Sequence, residues 1–363
     1  MSVNADIAAV PGAPTVIPAT KLTPAPQHLG LSDMRLSLFK SMIALWLCLA
    51  VSTLTPARAE WLYREAPIMG TRCDVELWTD DHAKGEAAIE RVFEEFRQFD
   101  ERMSTFKPGS EVSYVNAHAA EHPVKVSAEL YDLTATALAY SKLTHGTFDI
   151  TYASVGYLYD YRKHIHPDAT AIAAHLPAIG YRHVHLDAQA RTIFFDRPGV
   201  RIDFGGLKGY EVDRGVAVLK KLGYTRAMVN AGGDTRIIGD RFGKPWIVAI
   251  RDPDDGKKWA LRMPIADAAI STSGDYERFF VEGGVRYHHI LDPKTGKSPH
   301  LVRSVTIIGP TATRTDALTK SVFVMGAQKG IAFIDTLKDV DAIAITPDRR
   351  IWYSKGLAPP AQK

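Results

Sequence analysis

The chain has 363 residues, 46% of them hydrophobic, enough for one large domain or two modest ones with a real core. Its 44 Lys+Arg against 41 Asp+Glu leave a formal charge of +3, which excludes the strong basic excess of a typical nucleic-acid binder. Its two cysteines, Cys48 and Cys73, exclude CxxC pairs and paired-cysteine metal sites.

Residues 1–33 are rich in Ala, Pro and Thr without helical or strand period, and read as disordered or as an over-extended gene start. Met34-Arg35 opens a second pattern. Arg35 and Lys40 form a positive n-region, Ser41 to Leu54 is mostly apolar, and Ala57-Arg58-Ala59 is an A-x-A site. This predicts a secretory signal peptide over 34–59 with cleavage before Glu60. A membrane anchor is the alternative, but the apolar run is shorter than the roughly 20 residues a spanning helix needs. The expected mature chain is exported, has no membrane span, and keeps only Cys73, so it forms no intramolecular disulfide.

Trp61 to Trp78 reads as a strand pair broken at Met69-Gly70-Thr71. Ala83–Arg102 has a helical period through Ala87, Ile89, Val92, Phe93, Phe96 and Phe99. Ser127–Leu143 reads as a second helix, with Ser127 as N-cap and Glu129 in the first turn. Strand-like runs follow at His183–Leu186, Thr192–Phe195 and Val200–Phe204. After a glycine turn comes a helix from about Tyr210 to Leu222. Ala227–Asn230, Trp246–Arg251, Ala268–Ser271, Tyr276–Val281 and Ser304–Ile308 read as strands. Helices over Asp316–Met325 and Ile331–Leu337 close the domain, and the tail beyond Gly356 reads as loose. Strands outnumber helices and come in adjacent runs, which predicts an α+β fold rather than a doubly wound sheet.

Four glycine-bearing segments stand out: Met69-Gly70-Thr71, Asp203-Phe204-Gly205-Gly206-Leu207-Lys208-Gly209-Tyr210, Asn230-Ala231-Gly232-Gly233-Asp234 and Ser271-Thr272-Ser273-Gly274-Asp275-Tyr276. Glycine permits positive φ and close approach of backbone N–H groups to a ligand, and such turns make anion-binding concavities. Each alone is an ordinary tight turn. Neither G-x-G-x-x-G nor a Walker pattern occurs, which argues against a Rossmann or P-loop site.

A fifth motif is His288-His289-Ile290-Leu291-Asp292-Pro293-Lys294-Thr295-Gly296, where Asp-Pro-Lys-Thr-Gly is a turn sequence placing both histidines at a strand end. His288 reads as a solvated strand residue. The sixth is Thr315-Asp316-Ala317-Leu318-Thr319-Lys320-Ser321. Its spacing suggests a helix N-terminus, with Thr315 as cap and Asp316 favourable against the dipole. Asp316 can also serve as an oxygen ligand for Mg²⁺.

In this order, the six motifs resemble the ApbE family, the FAD:protein FMN transferases, from about Met69 to about Met325. The resemblance implies one α+β, T-fold-like domain over residues 60–356, with antiparallel sheets and packed helices. It implies FAD as substrate in an extended cleft, and Mg²⁺-assisted transfer of FMN through a phosphoester to a Thr or Ser hydroxyl of an acceptor flavoprotein, releasing AMP. By position, Met69 would pack on the flavin portion and Phe106 would stack on the cofactor. Thr147, Phe148 and Asp149 would form a second FAD-contacting loop. Asp203, Lys208 and the Ile290 backbone would contact FAD, while the Gly206 carbonyl and Asp316 would hold the metal. His289 would be the base that activates the acceptor hydroxyl. An exported relative would act in the periplasm, on a periplasmic or membrane-associated acceptor. Many relatives are lipoproteins, but Leu47 precedes Cys48 where a lipobox needs a small residue.

Two departures from the pattern matter. Relatives commonly read Asp-Leu-Gly-Gly-Ile-Ala-Lys-Gly-Tyr, one residue longer than the turn here, where Leu207 runs directly into Lys208. Relatives also carry a threonine four residues after the metal aspartate, and this chain has Lys320. Residues four apart share a helix face, while Thr319 points roughly 100° away. Either Lys320 lies aside and metal binds, or its ammonium replaces the metal. An FAD pyrophosphatase and a non-catalytic flavin carrier or assembly factor are the alternative functions.

Overall fold

Residues 59–357 are described by the computed structural model. The expectations for residues 1–33, for the signal peptide up to residue 58 with Cys48, and for residues 358–363 lie outside the described residues. The first strands, β1 (Glu60–Ile68) and β2 (Thr71–Thr79), pair antiparallel in register from Glu60↔Thr79 to Ile68↔Thr71. Only Met69 and Gly70 connect them, at φ 55° and 65°. Two successive positive-φ residues suit a two-residue hairpin turn, because their twist matches that of the strands. A non-glycine residue rarely adopts this conformation, and Met69 does so at a position where the sequence already points to function.

Helix α1 (His82–Met103) starts where the Asp81 side chain accepts from the Lys84 N–H. It buries Ala88, Ile89, Val92, Phe93, Phe96 and Phe99, a stripe at helical period facing the core. After α2 (Glu111–His118), β3 (Val124–Lys125) leads into α3 (Ala128–Leu143), capped by Ser127, whose hydroxyl accepts from Leu130 N–H. Two short helices, α4 (Ala153–Gly156) and α5 (Ala169–His175), precede β4 (Val184–Asp187) and β5 (Thr192–Phe195). Strands β3, β5 and β4 form a small sheet in that order.

Next come α6 (Gly209–Lys221), β6 (Ala227–Ala231), β7 (Asp234–Ile238), the hairpin β8 (Trp246–Arg251) and β9 (Trp259–Ile265), and β10 (Ala269–Gly274). A second hairpin, β11 (Phe279–Glu282) and β12 (Val285–His288), precedes β13 (Ser304–Gly309). The described chain closes with α7 (Ala312–Met325), α8 (Ala327–Ile334), β14 (Asp341–Ile345) and β15 (Ile351–Tyr353). The main sheet has eight strands in the order β1-β2-β6-β7-β10-β13-β14-β15, each pair antiparallel. Helices α1, α6, α7 and α8 lie in contact with one another in turn and cover this sheet. The fold is α+β, as expected.

Some local expectations give way. Val200–Phe204 is extended but joins no ladder. Its backbone groups are satisfied by the Asn116 amide at Ile202 N–H (2.7 Å) and C=O (2.9 Å), by the Ser154 hydroxyl at Arg201 N–H, and by the Ile150 carbonyl at Asp203 N–H. Ser271–Gly274 is not a turn but most of β10, and Tyr276 lies outside β11. Helix α7 begins at Ala312 rather than Asp316. Thr311 is its cap, and the Asp213 carboxylate of α6 accepts from Ala312 N–H (2.9 Å) and Thr313 N–H (2.8 Å). Thr315 is therefore no cap, and Asp316 sits one turn inside the helix. The second closing helix likewise runs earlier, over Ala327–Ile334.

Candidate functional site

Helix α7 carries the floor of the site. Thr315 and Thr319 turn toward β10, where their hydroxyls meet Ser271 (2.7 Å) and Ser273 (2.8 Å). Asp316 faces the start of α6, and its Oδ2 accepts from Gly209 N–H at 3.0 Å. The helices can come this close because residue 209 is glycine: a Cβ there would overlap the Ala312 carbonyl. Lys320, one turn on, forms an ion pair through Nζ with Asp316 Oδ1. Asp316 is completely buried. Burial pushes the Lys320 amine down to about 7, while the Asp234 charge works the other way, as does the Asp316 carboxylate it touches.

The residues expected to hold Mg²⁺ do not fit a divalent ion in this arrangement. One Asp316 oxygen is engaged by an ammonium and the other by a backbone N–H. Thr319, the hydroxyl one residue before the expected threonine position, donates to the Asp316 carbonyl at 2.7 Å. A Cβ on Gly206 would stand 3.9 Å from both Cγ and Cε of Lys320, so the lysine stem runs beneath the glycine whose carbonyl was the other expected ligand. Among the described residues, no three His, Cys, Asp or Glu side chains gather closely enough to hold a metal.

The glycine turn is stapled by Asp203. Its Oδ1 accepts from Tyr152 OH (3.0 Å) and Gly205 N–H (2.6 Å), and its Oδ2 from the Thr105 hydroxyl (2.6 Å). Asp203 thus ties the Thr105-Phe106 loop to the turn. Leu207 is buried in the core, and Lys208 folds back so that Nζ donates to Gly205 C=O at 2.7 Å. A Cβ on Gly232 would lie 3.7 Å from Lys208 Cε, which brings the third glycine turn to the same place. Phe106 projects outward with 88% of its surface exposed, an unusual position for a large apolar ring. Met69, half-buried, packs against two of the core clusters.

The loop of Thr147, Phe148 and Asp149 is turned mostly inward. Thr147 donates to Thr144 C=O (2.9 Å). Asp149 Oδ1 accepts from Thr151 N–H (2.9 Å) and hydroxyl (2.6 Å), and Oδ2 from Tyr181 N–H (2.7 Å). Burial raises the Asp149 carboxyl. Phe148 is buried but reaches the site, 3.6 Å from where a Gly206 Cβ would be. Thr147 and Asp149 shape the loop behind it through these bonds.

Strand β12 ends at His288. This histidine is fully buried rather than solvated, because the Asp292–Lys297 turn folds the chain back over it. His288 N–H donates to the Ser298 hydroxyl, and Nε2 lies 2.8 Å from the Pro299 carbonyl. Burial pushes it down to about 4. His289, next in the chain, is half-buried, and its backbone N–H donates to Arg278 C=O at 3.2 Å. Burial, then the charges of Lys208, Lys320 and Arg278, push its imidazole well below the usual histidine value, so it is neutral at pH 7. Its Nδ1 is buried without a partner, leaving Nε2 as the nitrogen able to meet a hydroxyl. Ile290 is buried in the core cluster with Leu318 and Val322.

The structure therefore gathers Lys208, Gly206, Phe148, Asp316 and His289, with Met69 and Phe106 on adjoining loops. Two further residues belong here that the sequence did not single out. Arg278 donates to Gly70 C=O at 3.3 Å, linking the Met69 hairpin to His289. Asp234 is buried, and its charge bears on Lys320. A lone arginine before a strand carries no signal. Asp234 ends one of the glycine motifs, and only its burial marks it.

The ApbE family model matches residues 69–344. An FAD:protein FMN transferase of Treponema pallidum is 34% identical over 321 residues, covering 83% of this chain and 89% of that protein. One of Klebsiella pneumoniae is 31% identical over 294 residues, covering 80% and 90%. Among solved structures, the ApbE protein of Thermotoga maritima gives a TM-score of 0.76 at 32% identity, covering 82% of this chain and 98% of that one. The flavin transferase ApbE of Vibrio cholerae gives 0.73 at 28%, with the same coverage. With most of its length matched in sequence and in fold, the chain belongs to the ApbE family.

Proposed function

We propose that this chain is an FAD:protein FMN transferase, moving FMN from FAD to a Thr or Ser hydroxyl of an acceptor flavoprotein through a phosphoester bond and releasing AMP. The observation that carries the reading within the site is the convergence of Lys208, whose Nζ donates to Gly205 C=O, of Lys320 against Gly206, and of His289, whose backbone N–H is held by Arg278. A pyrophosphate needs cations, and an alcohol nucleophile needs a nearby base. Burial first, and then these three positive charges, disfavour the protonated form of His289 before substrate arrives. An anionic pyrophosphate held by those cations offsets them and raises the basicity of His289 as the acceptor docks. The exposed Phe106 ring offers a stacking face to the flavin or adenine. Export through the 34–59 segment, and action on a periplasmic or membrane-associated acceptor, are part of the proposal. The positive n-region, short apolar run and A-x-A site support it.

The test is to incubate the purified protein with FAD, with and without a Ser/Thr-bearing flavoprotein acceptor, and to measure AMP and acceptor-bound flavin. AMP appearing only with acceptor is the expected result. AMP without acceptor indicates a pyrophosphatase, and none in either case a binding protein. His289→Ala should keep FAD binding and lose transfer by roughly 10²–10⁴-fold. A mutant that transfers at the wild-type rate removes His289 from the base role.

A further inference from the structure

The Asp316–Lys320 pair is held from both sides. Both residues stand on one face of α7, a helix packed against β10 and β13. Asp316 cannot turn away, because Gly209 N–H holds its second oxygen. Lys320 is mostly buried. Its stem lies along Gly206, with Phe148 on the same glycine's other contact, and the like charge of Lys208 bears on its ammonium. A second buried carboxylate, Asp234, attracts it. Removing the ammonium would leave Asp316 as an uncompensated buried charge, which is strongly unfavourable.

We infer that the Lys320 ammonium, paired with Asp316, occupies the position a divalent ion would take there, so that this chain binds FAD and transfers FMN without a divalent metal. This rests on the transferase reading and concerns how its phosphate site is charged. The acceptor oxygen forms a bond to the FMN-side phosphorus. The bond from that phosphorus to the bridging oxygen breaks, and AMP leaves with that oxygen and its electron pair. The hydroxyl proton passes to His289. Lys320 keeps all its N–H bonds throughout, and contributes charge and hydrogen bonds, with Lys208 and Arg278 completing the set. An ammonium is a compact point charge suited to phosphate, although without the Lewis acidity of a metal ion.

Calorimetric titration of MgCl₂ into the wild-type protein, with and without FAD, should show no binding beyond that of free FAD. The FAD dissociation constant from flavin fluorescence should agree within about twofold between EDTA and Mg²⁺ buffers, a difference below the tenfold that 1.4 kcal/mol represents. In Lys320→Thr, FAD affinity should become Mg²⁺-dependent by at least about tenfold. Stoichiometric Mg²⁺ binding by the wild type, or FAD affinity that collapses in EDTA, overturns the inference and leaves the transferase reading standing. Equal FAD binding in both buffers with no AMP released from FAD in the presence of any acceptor keeps Lys320 as the cation at Asp316 but sinks the transferase reading, and metal-free transfer with it. The wild-type titrations decide the matter even if Lys320→Thr does not fold.

Discussion

His288 makes the domain sensitive to acid through a group that takes no part in chemistry. Its imidazole is buried against Phe323, with ring centroids 5.4 Å apart. Nε2 lies against the Pro299 carbonyl, and Nδ1 has no partner. The neutral Nε2–H form fits this pocket, whereas an imidazolium would need a second acceptor that is missing. Its folded value of about 4 lies below the unfolded value of about 6.5. The unfolded chain therefore binds a proton over a range where the folded chain does not. The stabilisation is complete above pH 6.5, and is lost as pH falls from about 6.5 to about 4, amounting to roughly 3 kcal/mol over that window. His288→Gln keeps an N–H donor toward Pro299 and cannot titrate. Urea unfolding of both proteins at pH 7, 6 and 5 isolates the residue, because other groups cancel in the difference. The wild type's advantage should shrink by about 1.4 kcal/mol per pH unit below 6.5. A difference that stays constant with pH would show that His288 protonates freely in the folded state, and the reasoning would be wrong.

Two other substitutions probe the site from different sides. Phe106→Ala should leave thermal stability unchanged, since the ring is 88% exposed, but should weaken FAD binding by about 1–3 kcal/mol, measured by flavin fluorescence; unaltered affinity would rule out stacking there. Gly209→Ala places a methyl against the Ala312 backbone, so α6 and α7 must separate and the Gly209–Asp316 bond is lost. Thermal melts should show destabilisation of about 1–3 kcal/mol or more. Gly109→Ala, where a Cβ would meet nothing within 4 Å, should cost less than about 0.5 kcal/mol. Equal effects at the two glycines would contradict the close α6–α7 seam.

What can be read along the chain is what depends on near neighbours. The hairpin at Met69-Gly70, the apolar stripe of α1 and the Ser127 cap of α3 are local signals, and each appears where period and capping place it. The contiguity of Asp316 and Lys320 on one helix face also follows from their spacing alone, as does the turning of Thr319 away from the Asp316 side chain. The order of the six motifs was enough to indicate the family. What only the tertiary structure decided depends on partners remote in sequence. Asp213, about a hundred residues upstream, moves the start of α7 to Ala312. Asn116 satisfies Ile202 and keeps Val200–Phe204 out of a sheet. A folded-back turn converts His288 from a surface residue into a buried one, and Arg278 joins two motifs through a backbone carbonyl. Whether a carboxylate is free for a metal or already matched by an ammonium is likewise a matter of desolvation. Helical spacing put Lys320 beside Asp316, but the surrounding elements buried Asp316 completely, left Lys320 only partly exposed, and brought Gly209 N–H to the other carboxylate oxygen.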